Sequence, residues 1–270
     1  MIYKTPMNPL VKILNKYISS MNTNTDQINC RMSTEYDERL YEMLKSFQER
    51  LRIASGKHSE NIYSFMYPSW GDKFSDGTKL LIYGNCSGGP CEPTFGINDG
   101  IDRSIIEKGY AFSNTDDSNP AGISWTDESV VRSFCWNVCR EVTKKIHGIE
   151  NCENSLEWYR YPAFSSLFKI GNVKGYRPKQ DEYEAQKDFA VELFLRELDE
   201  IKPDIVLMLT GLDYADDFIG ALGLKPNMEG KRYVLISEKV NQTKIIMTRF
   251  FKVGIHEKCV NEIMECLNLL

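Results

Sequence analysis

Apolar positions along the chain fall into two patterns, one of helical spacing and one of short unbroken runs. Tyr36, Leu40, Leu44, Phe47, Leu51 and Ala54 recur at helical spacing and mark one stripe of an amphipathic helix. Thr34 with Asp37 offers a capping-box-like start, and Gly56 a stop. Leu10, Leu14, Tyr17 and Ile18 repeat the spacing nearer the beginning, so the first 70 residues read as helical. A turn signal at Gly71 and Asp76-Gly77 leads into KLLIYGNC (79–86), an apolar run bounded by glycine and read as a buried strand. Residues 87–125 are rich in Gly, Asn, Asp, Ser and Pro and read as a long irregular stretch. From 127 to 146, Val131, Phe134, Cys135, Val138, Val142 and Ile146 line one helical face that Gly148 ends. YRYPAFSSLFKI (159–170) is a second strand. A helix over 181–201 turns Ala190, Leu193, Phe194, Leu198 and Ile201 inward and stops at Pro203. DIVLMLTG (204–211) is the clearest buried strand, and a short helix follows near 213–222. YVLIS (233–237) and TKIIMTRFF (243–251) are strands around a polar turn, and a last helix over 255–268 carries Cys259, Val260, Ile263 and Leu267.

Buried strands alternating with amphipathic helices predict an α/β sandwich with a largely parallel sheet and helices on both faces. The predicted organisation is an N-terminal helical extension (1–65) packed on a core α/β domain (66–270). Such sheets bind ligands outside the carboxyl ends of their strands. The segments to inspect are therefore GNCSGGP, FKIGNVKGYRPK, GLDYADD and RFFKVG.

Composition narrows the function classes. The chain has 270 residues, 42% of them hydrophobic, and a net charge of -5. Apolar residues spread throughout exclude disorder over most of the length, and no run of about 18 apolar residues could span a membrane. No signal-peptide pattern opens the sequence, so a cytoplasmic protein with no membrane partner is expected. The eight cysteines form no Cys-x-x-Cys pair, which predicts buried reduced thiols, with no metal and no cofactor. The acidic total argues against coating nucleic acid by bulk charge, but Lys169, Lys174, Arg177 and Lys179, and Lys239, Lys244, Arg249 and Lys252, are local basic groups near one sheet edge. Solvated surface lysines are the simpler reading of both groups. The three histidines, His58, His147 and His256, form no readable hydrolase triad, and neither Gly-x-Ser-x-Gly nor His-Glu-x-x-His occurs. GNCSGGP lacks the Lys-Ser/Thr of a phosphate loop and the spacing of a dinucleotide fingerprint; Gly84 would let a ligand approach the backbone.

The order of LLIYGN, an aromatic-rich strand ending in SLFKIGN, IVLMLTG after a long helix, and a late strand before the last helix resembles the uracil-DNA glycosylase superfamily over about residues 65–265. The resemblance implies a three-layer α/β/α sandwich with a short, mostly parallel sheet. It also implies a DNA or nucleobase partner bound at the carboxyl edge, with the base flipped into a pocket. Gly84 matches the family's glycine. Asn85 and Cys86 stand where an acid is expected; Asn85 could orient a water, whereas Cys86 cannot supply a carboxylate's charge, and Gly84, Cys86, Ser87 and Gly88 are candidate base contacts. The base-reading Asn is replaced by Ser166, with Asn172 a few residues on, and Phe168 is a candidate base contact. Arg249-Phe250-Phe251 takes the place of the His-Pro pair, so Asn85 and Arg249 are the candidate catalytic residues and Phe250 and Phe251 base contacts. Lys169, Lys174, Arg177 and Lys252 are the candidate phosphate contacts. Losing the acid and the donor together removes several kcal/mol of transition-state stabilisation, at ~3 kcal/mol for one donor. Two other classes stay open: a non-catalytic binding or scaffold protein on the same fold, using the 87–125 stretch, and a small-molecule enzyme holding a phosphate in the glycine-rich loop.

Overall fold

A computed structural model describes residues 31–54, 58–86, 93–114, 134–149, 156–174, 178–213, 215–227, 231–249 and 255–268. Its helices are α1 (Thr34–Ile53), α2 (Ser104–Asn114), α3 (Phe134–His147), α4 (Gln180–Ile201), α5 (Asp216–Ala221) and α6 (His256–Cys266), with a 3-10 turn at Leu156–Arg160. Its strands are β1 (Ile62–Phe65), β2 (Ser69–Trp70), β3 (Leu80–Cys86), β4 (Thr94–Gly96), β5 (Ala163–Phe168), β6 (Ile170–Asn172), β7 (Ile205–Met208), β8 (Val234–Val240) and β9 (Thr243–Thr248).

The central sheet has the order β2-β5-β3-β7-β9-β8. β5, β3, β7 and β9 run parallel, and the edge strands β2 and β8 are antiparallel. The parallel strands therefore lie second-first-third-fourth in chain order. Their unbroken apolar runs are sorted by the two-residue period of a strand. Leu81, Tyr83, Val206, Met208, Ile245 and Met247 join the core formed with α1, α4 and α5. Leu80, Ile82, Phe164, Ile205, Leu207 and Ile246 join the core formed with α3 and α6. The result is a three-layer arrangement with helices on both faces. No helix among the described residues is long and apolar enough to cross a membrane.

α1 starts where the Ser33 side chain accepts the Tyr36 N–H, one residue before the expected start, and ends at Ala54. It buries Tyr36, Leu40, Met43, Leu44, Phe47 and Leu51. Arg39 pairs with Glu192 at 2.5 Å and Arg196 with Glu35 at 2.8 Å, joining it to α4. The buried face of this helix belongs to the core shared with α4. The helical stripe at Leu10–Ile18 and the stop at Gly56 lie outside the described residues.

Three expectations need correction. The first 70 residues are not helical throughout, because β1 and β2 lie within them and β1 centres a second, antiparallel sheet, β4-β1-β6. The stretch 87–125 is not wholly irregular, since it contains β4 and α2. The Asp102 side chain accepts the Ser104 N–H at the start of α2, and Gly109 lies so close to Phe65 that a Cβ would stand 2.4 Å from the ring. Finally, the strand expected over 159–170 is broken at Lys169, where the chain leaves the central sheet for the small one.

Gly71 joins β2 to the 3-10 turn. Its N–H donates to the Pro162 carbonyl at 3.0 Å, and a Cβ there would lie 2.0 Å from the Arg160 carbonyl oxygen. Backbone cannot yield as a side chain does, so Gly71→Ala is expected to lower stability by at least about 1–3 kcal/mol in a denaturant titration.

Candidate functional site

The chain leaving β3 re-enters the central sheet at β5, on one side of β3, whereas the chain leaving β7 re-enters it at β8 and β9, on the other side. Adjacent parallel strands whose connections diverge in this way open a crevice at their carboxyl ends. β3 and β7 are such neighbours: the Leu209 N–H donates to the Tyr83 carbonyl at 3.0 Å just beyond the ladder. Gly84-Asn85 stands at the carboxyl end of one of these strands and Leu209-Thr210-Gly211 at that of the other, where such a crevice is expected. Ser166 lies opposite Gly84 in the β3/β5 register. Gly211 has φ 67 and its N–H donates to the Thr248 carbonyl at 3.1 Å, which brings Arg249 to the same edge.

Gly84 is exposed, and no described atom lies within 4 Å of where its Cβ would stand. The Asn85 Oδ1 is buried, and no described residue donates to it. A shielded amide oxygen without a donor is a place where a ligand N–H or a water can bind. Arg249 is half-buried, its backbone N–H donating to the Tyr233 carbonyl at 2.9 Å. That carbonyl belongs to a segment clasped by Glu262 of α6, whose carboxylate accepts the N–H groups of Arg232, Tyr233 and Val234 at 3.2, 2.8 and 2.7 Å.

Other expected residues take different places. Phe168 is fully buried, 5.2 Å from the Tyr183 ring and 5.3 Å from the Phe218 ring, so it packs the core rather than stacking on a base. Ser166 is buried with its hydroxyl against the Met66 sulfur at 3.2 Å. Asn172 belongs to the small sheet opposite Tyr63, and its side-chain oxygen accepts the Lys174 N–H at 2.9 Å. Lys174 is exposed beside it. Lys169 is 0% exposed and cannot meet a phosphate; its ammonium lies 2.7 Å from the Glu197 carboxylate and donates to Ser165 Oγ and the Ser166 carbonyl, both at 2.6 Å. Ser87, Gly88, Arg177, Phe250, Phe251, Lys252 and the Cys86 side chain lie outside the described residues. Thr210 and Gly211 were missed as individual residues; the signal for them was the Thr-Gly that ends the DIVLMLTG run.

Two other polar clusters are structural. His58 meets Asp181 at 2.6 Å through Nε2 and Asn61 at 3.1 Å through Nδ1, while the Tyr63 hydroxyl donates to Glu182 at 2.9 Å, tying β1 to the start of α4. A cavity of about 380 Å³ beside β8 is lined by Lys231, Lys244, Glu238 and Glu265, but Lys231 is paired with Glu265 at 3.1 Å and Lys244 donates to the Ser237 carbonyl. No group of three or more metal-ligating side chains occurs among the described residues. Burial pushes the Cys135 thiol up to about 11 and the Cys259 thiol up to about 12, so neither is a ready nucleophile.

Burial also raises the phenols of Tyr36, Tyr63, Tyr67 and Tyr83, with Glu197, Glu182 or Asp37 adding to it. These four phenols stay protonated in the fold when an unfolded chain would release them. The stability they confer is complete below pH 10 and is lost as pH rises further. Tyrosinate absorbance of the native protein at pH 11 is therefore expected to fall short of the value for all 14 tyrosines by at least four, with the remainder appearing on denaturation.

Compared with known proteins, the chain matches no protein-family model and no curated protein.

Proposed function

We propose that the chain is a uracil-DNA-glycosylase-like protein that holds a nucleobase of a DNA strand in the crevice between β3 and β7. The single observation that carries this reading is the buried, donor-less Asn85 Oδ1 beside open space at Gly84, at the point where the connections of two parallel strands diverge. The second-first-third-fourth order of the parallel strands sets β3 and β7 side by side in the middle of the sheet. An amide oxygen suits the imide N–H of a uracil-type base, and a glycine allows the base plane to approach the backbone.

Hydrolysis would add water oxygen to the sugar carbon, break the bond to the base nitrogen, and release the base as an anion that takes up the proton the water loses. Asn85 can orient the water and Arg249 can stabilise the leaving anion. No carboxylate follows the β3 glycine to balance the cationic sugar, so the proposal is a base-binding protein whose cleavage is slow or absent. Filter binding and base release on uracil- and hypoxanthine-containing oligonucleotides test the two halves separately. Retention at low salt that falls as salt rises is expected. No retention at low salt removes the nucleic-acid reading, and no free base removes the enzymatic one.

A further inference from the structure

Four buried side chains from four elements meet directly beneath the carboxyl edge. Tyr36 comes from α1, Tyr83 from β3, Lys169 from the corner after β5 and Glu197 from α4, and all four are 0% exposed. The Glu197 carboxylate accepts the Tyr36 hydroxyl at 2.5 Å and the Tyr83 hydroxyl at 2.7 Å, and pairs with the Lys169 ammonium at 2.7 Å. Lys169 also donates to Ser165 Oγ and the Ser166 carbonyl, so each of its three ammonium hydrogens has an acceptor. Burial lowers the Lys169 ammonium while Glu197 opposes that shift.

This network is attached to the strand ends that border the crevice. Tyr83 immediately precedes Gly84-Asn85, and its carbonyl receives the Leu209 N–H of the neighbouring strand. The Ser166 carbonyl that Lys169 holds belongs to the residue opposite Gly84. Apolar packing is non-directional and fixes a strand end loosely, whereas charge-assisted hydrogen bonds are short and directional. Binding sites need their groups held to within about 0.5 Å.

We propose that Lys169, Glu197, Tyr83 and Tyr36 are positioning residues that lock the carboxyl ends of β3 and β5 in place for the ligand, and that α1 is thereby part of the site's support. The proposal rests on the crevice being the binding site, but its structural half is measurable without a ligand. Amide hydrogen exchange and oligonucleotide binding would be compared for the full chain and for Tyr36→Phe, Tyr83→Phe and Lys169→Met. Val142→Ala serves as the control, because it opens the α3 face of the core without touching the network. The two Phe variants keep their rings and lose one hydroxyl each, so they carry the test if Lys169→Met fails to fold. Exchange at the Gly84, Ser166 and Leu209 amides is expected to rise at least tenfold more in the network variants than in the control, with a fivefold or greater loss of oligonucleotide affinity that the control does not show. Localised exchange in a wild-type chain that binds no oligonucleotide supports the lock and overturns the ligand reading. Exchange that rises evenly, or no more at those amides than in the control, overturns the lock whatever the binding result, as does unchanged affinity in variants of a chain that binds.

Discussion

Glu197→Gln is expected to be the most destabilising single conservative change in the described chain, at about 3–5 kcal/mol, or on the order of 10 °C in melting temperature. Glutamine keeps the shape of the side chain but removes the charge opposite Lys169, leaving a buried ammonium with two neutral acceptors. Its amide also presents a donor at one of the two oxygen positions, facing either Tyr83 at Oε2 or Tyr36 and Lys169 at Oε1. Removing one partner of a buried pair costs far more than removing both, because the uncompensated charge remains in a low-dielectric interior. Recovery of most of the loss is therefore expected only when the charge pair and both phenols are removed together, as in Lys169→Met/Glu197→Leu with Tyr36→Phe and Tyr83→Phe, because Glu197→Leu alone strands the two hydroxyls. A Glu197→Gln protein within about 1 kcal/mol of wild type in chemical denaturation would mean that water reaches the pair.

The second large effect concerns ligand binding with the fold preserved. Gly84→Phe is expected to lower oligonucleotide affinity by more than a hundredfold, about 3 kcal/mol, while the melting temperature stays close to wild type. Gly84 is not among the positive-φ glycines, so a side chain there meets no backbone strain. No described atom lies within 4 Å of its Cβ position, so the ring would occupy the space that the proposal assigns to the base. A smaller residue separates the two effects: Gly84→Ala should keep the fold and lose affinity only modestly. Unchanged affinity in Gly84→Phe would place the ligand elsewhere.

The fold was legible in the sequence where the chain is apolar without interruption. β3 and β7 lie in the centre of the sheet, covered on both faces, and their runs of Leu, Ile, Val and Met leave no other reading. α2 was not legible, because its buried positions include Gly109, a residue of poor helix propensity whose presence is explained by Phe65, which lies far from it in sequence. The same limit applies to the site. Gly84, Asn85 and Arg249 reach one edge as strand ends must in a parallel sheet. Phe168 and Lys169 were misplaced because the chain turns under the edge after β5. A lysine in a basic cluster reads as a solvated surface charge by default. Its burial depends on Glu197, Tyr83 and Ser165 closing around it, and no local pattern announces that arrangement.

The claim on which the functional reading depends is that the carboxyl edge between β3 and β7 receives the ligand. Backbone amide shifts of the full chain, followed by NMR during titration with a uracil-containing single-stranded oligonucleotide at low salt, test it directly. The expected result is a set of saturable shifts centred on Gly84, Asn85, Thr210, Gly211 and Arg249. Shifts centred instead on the cavity beside Lys231 and Lys244, or no saturable shifts at all, would contradict it.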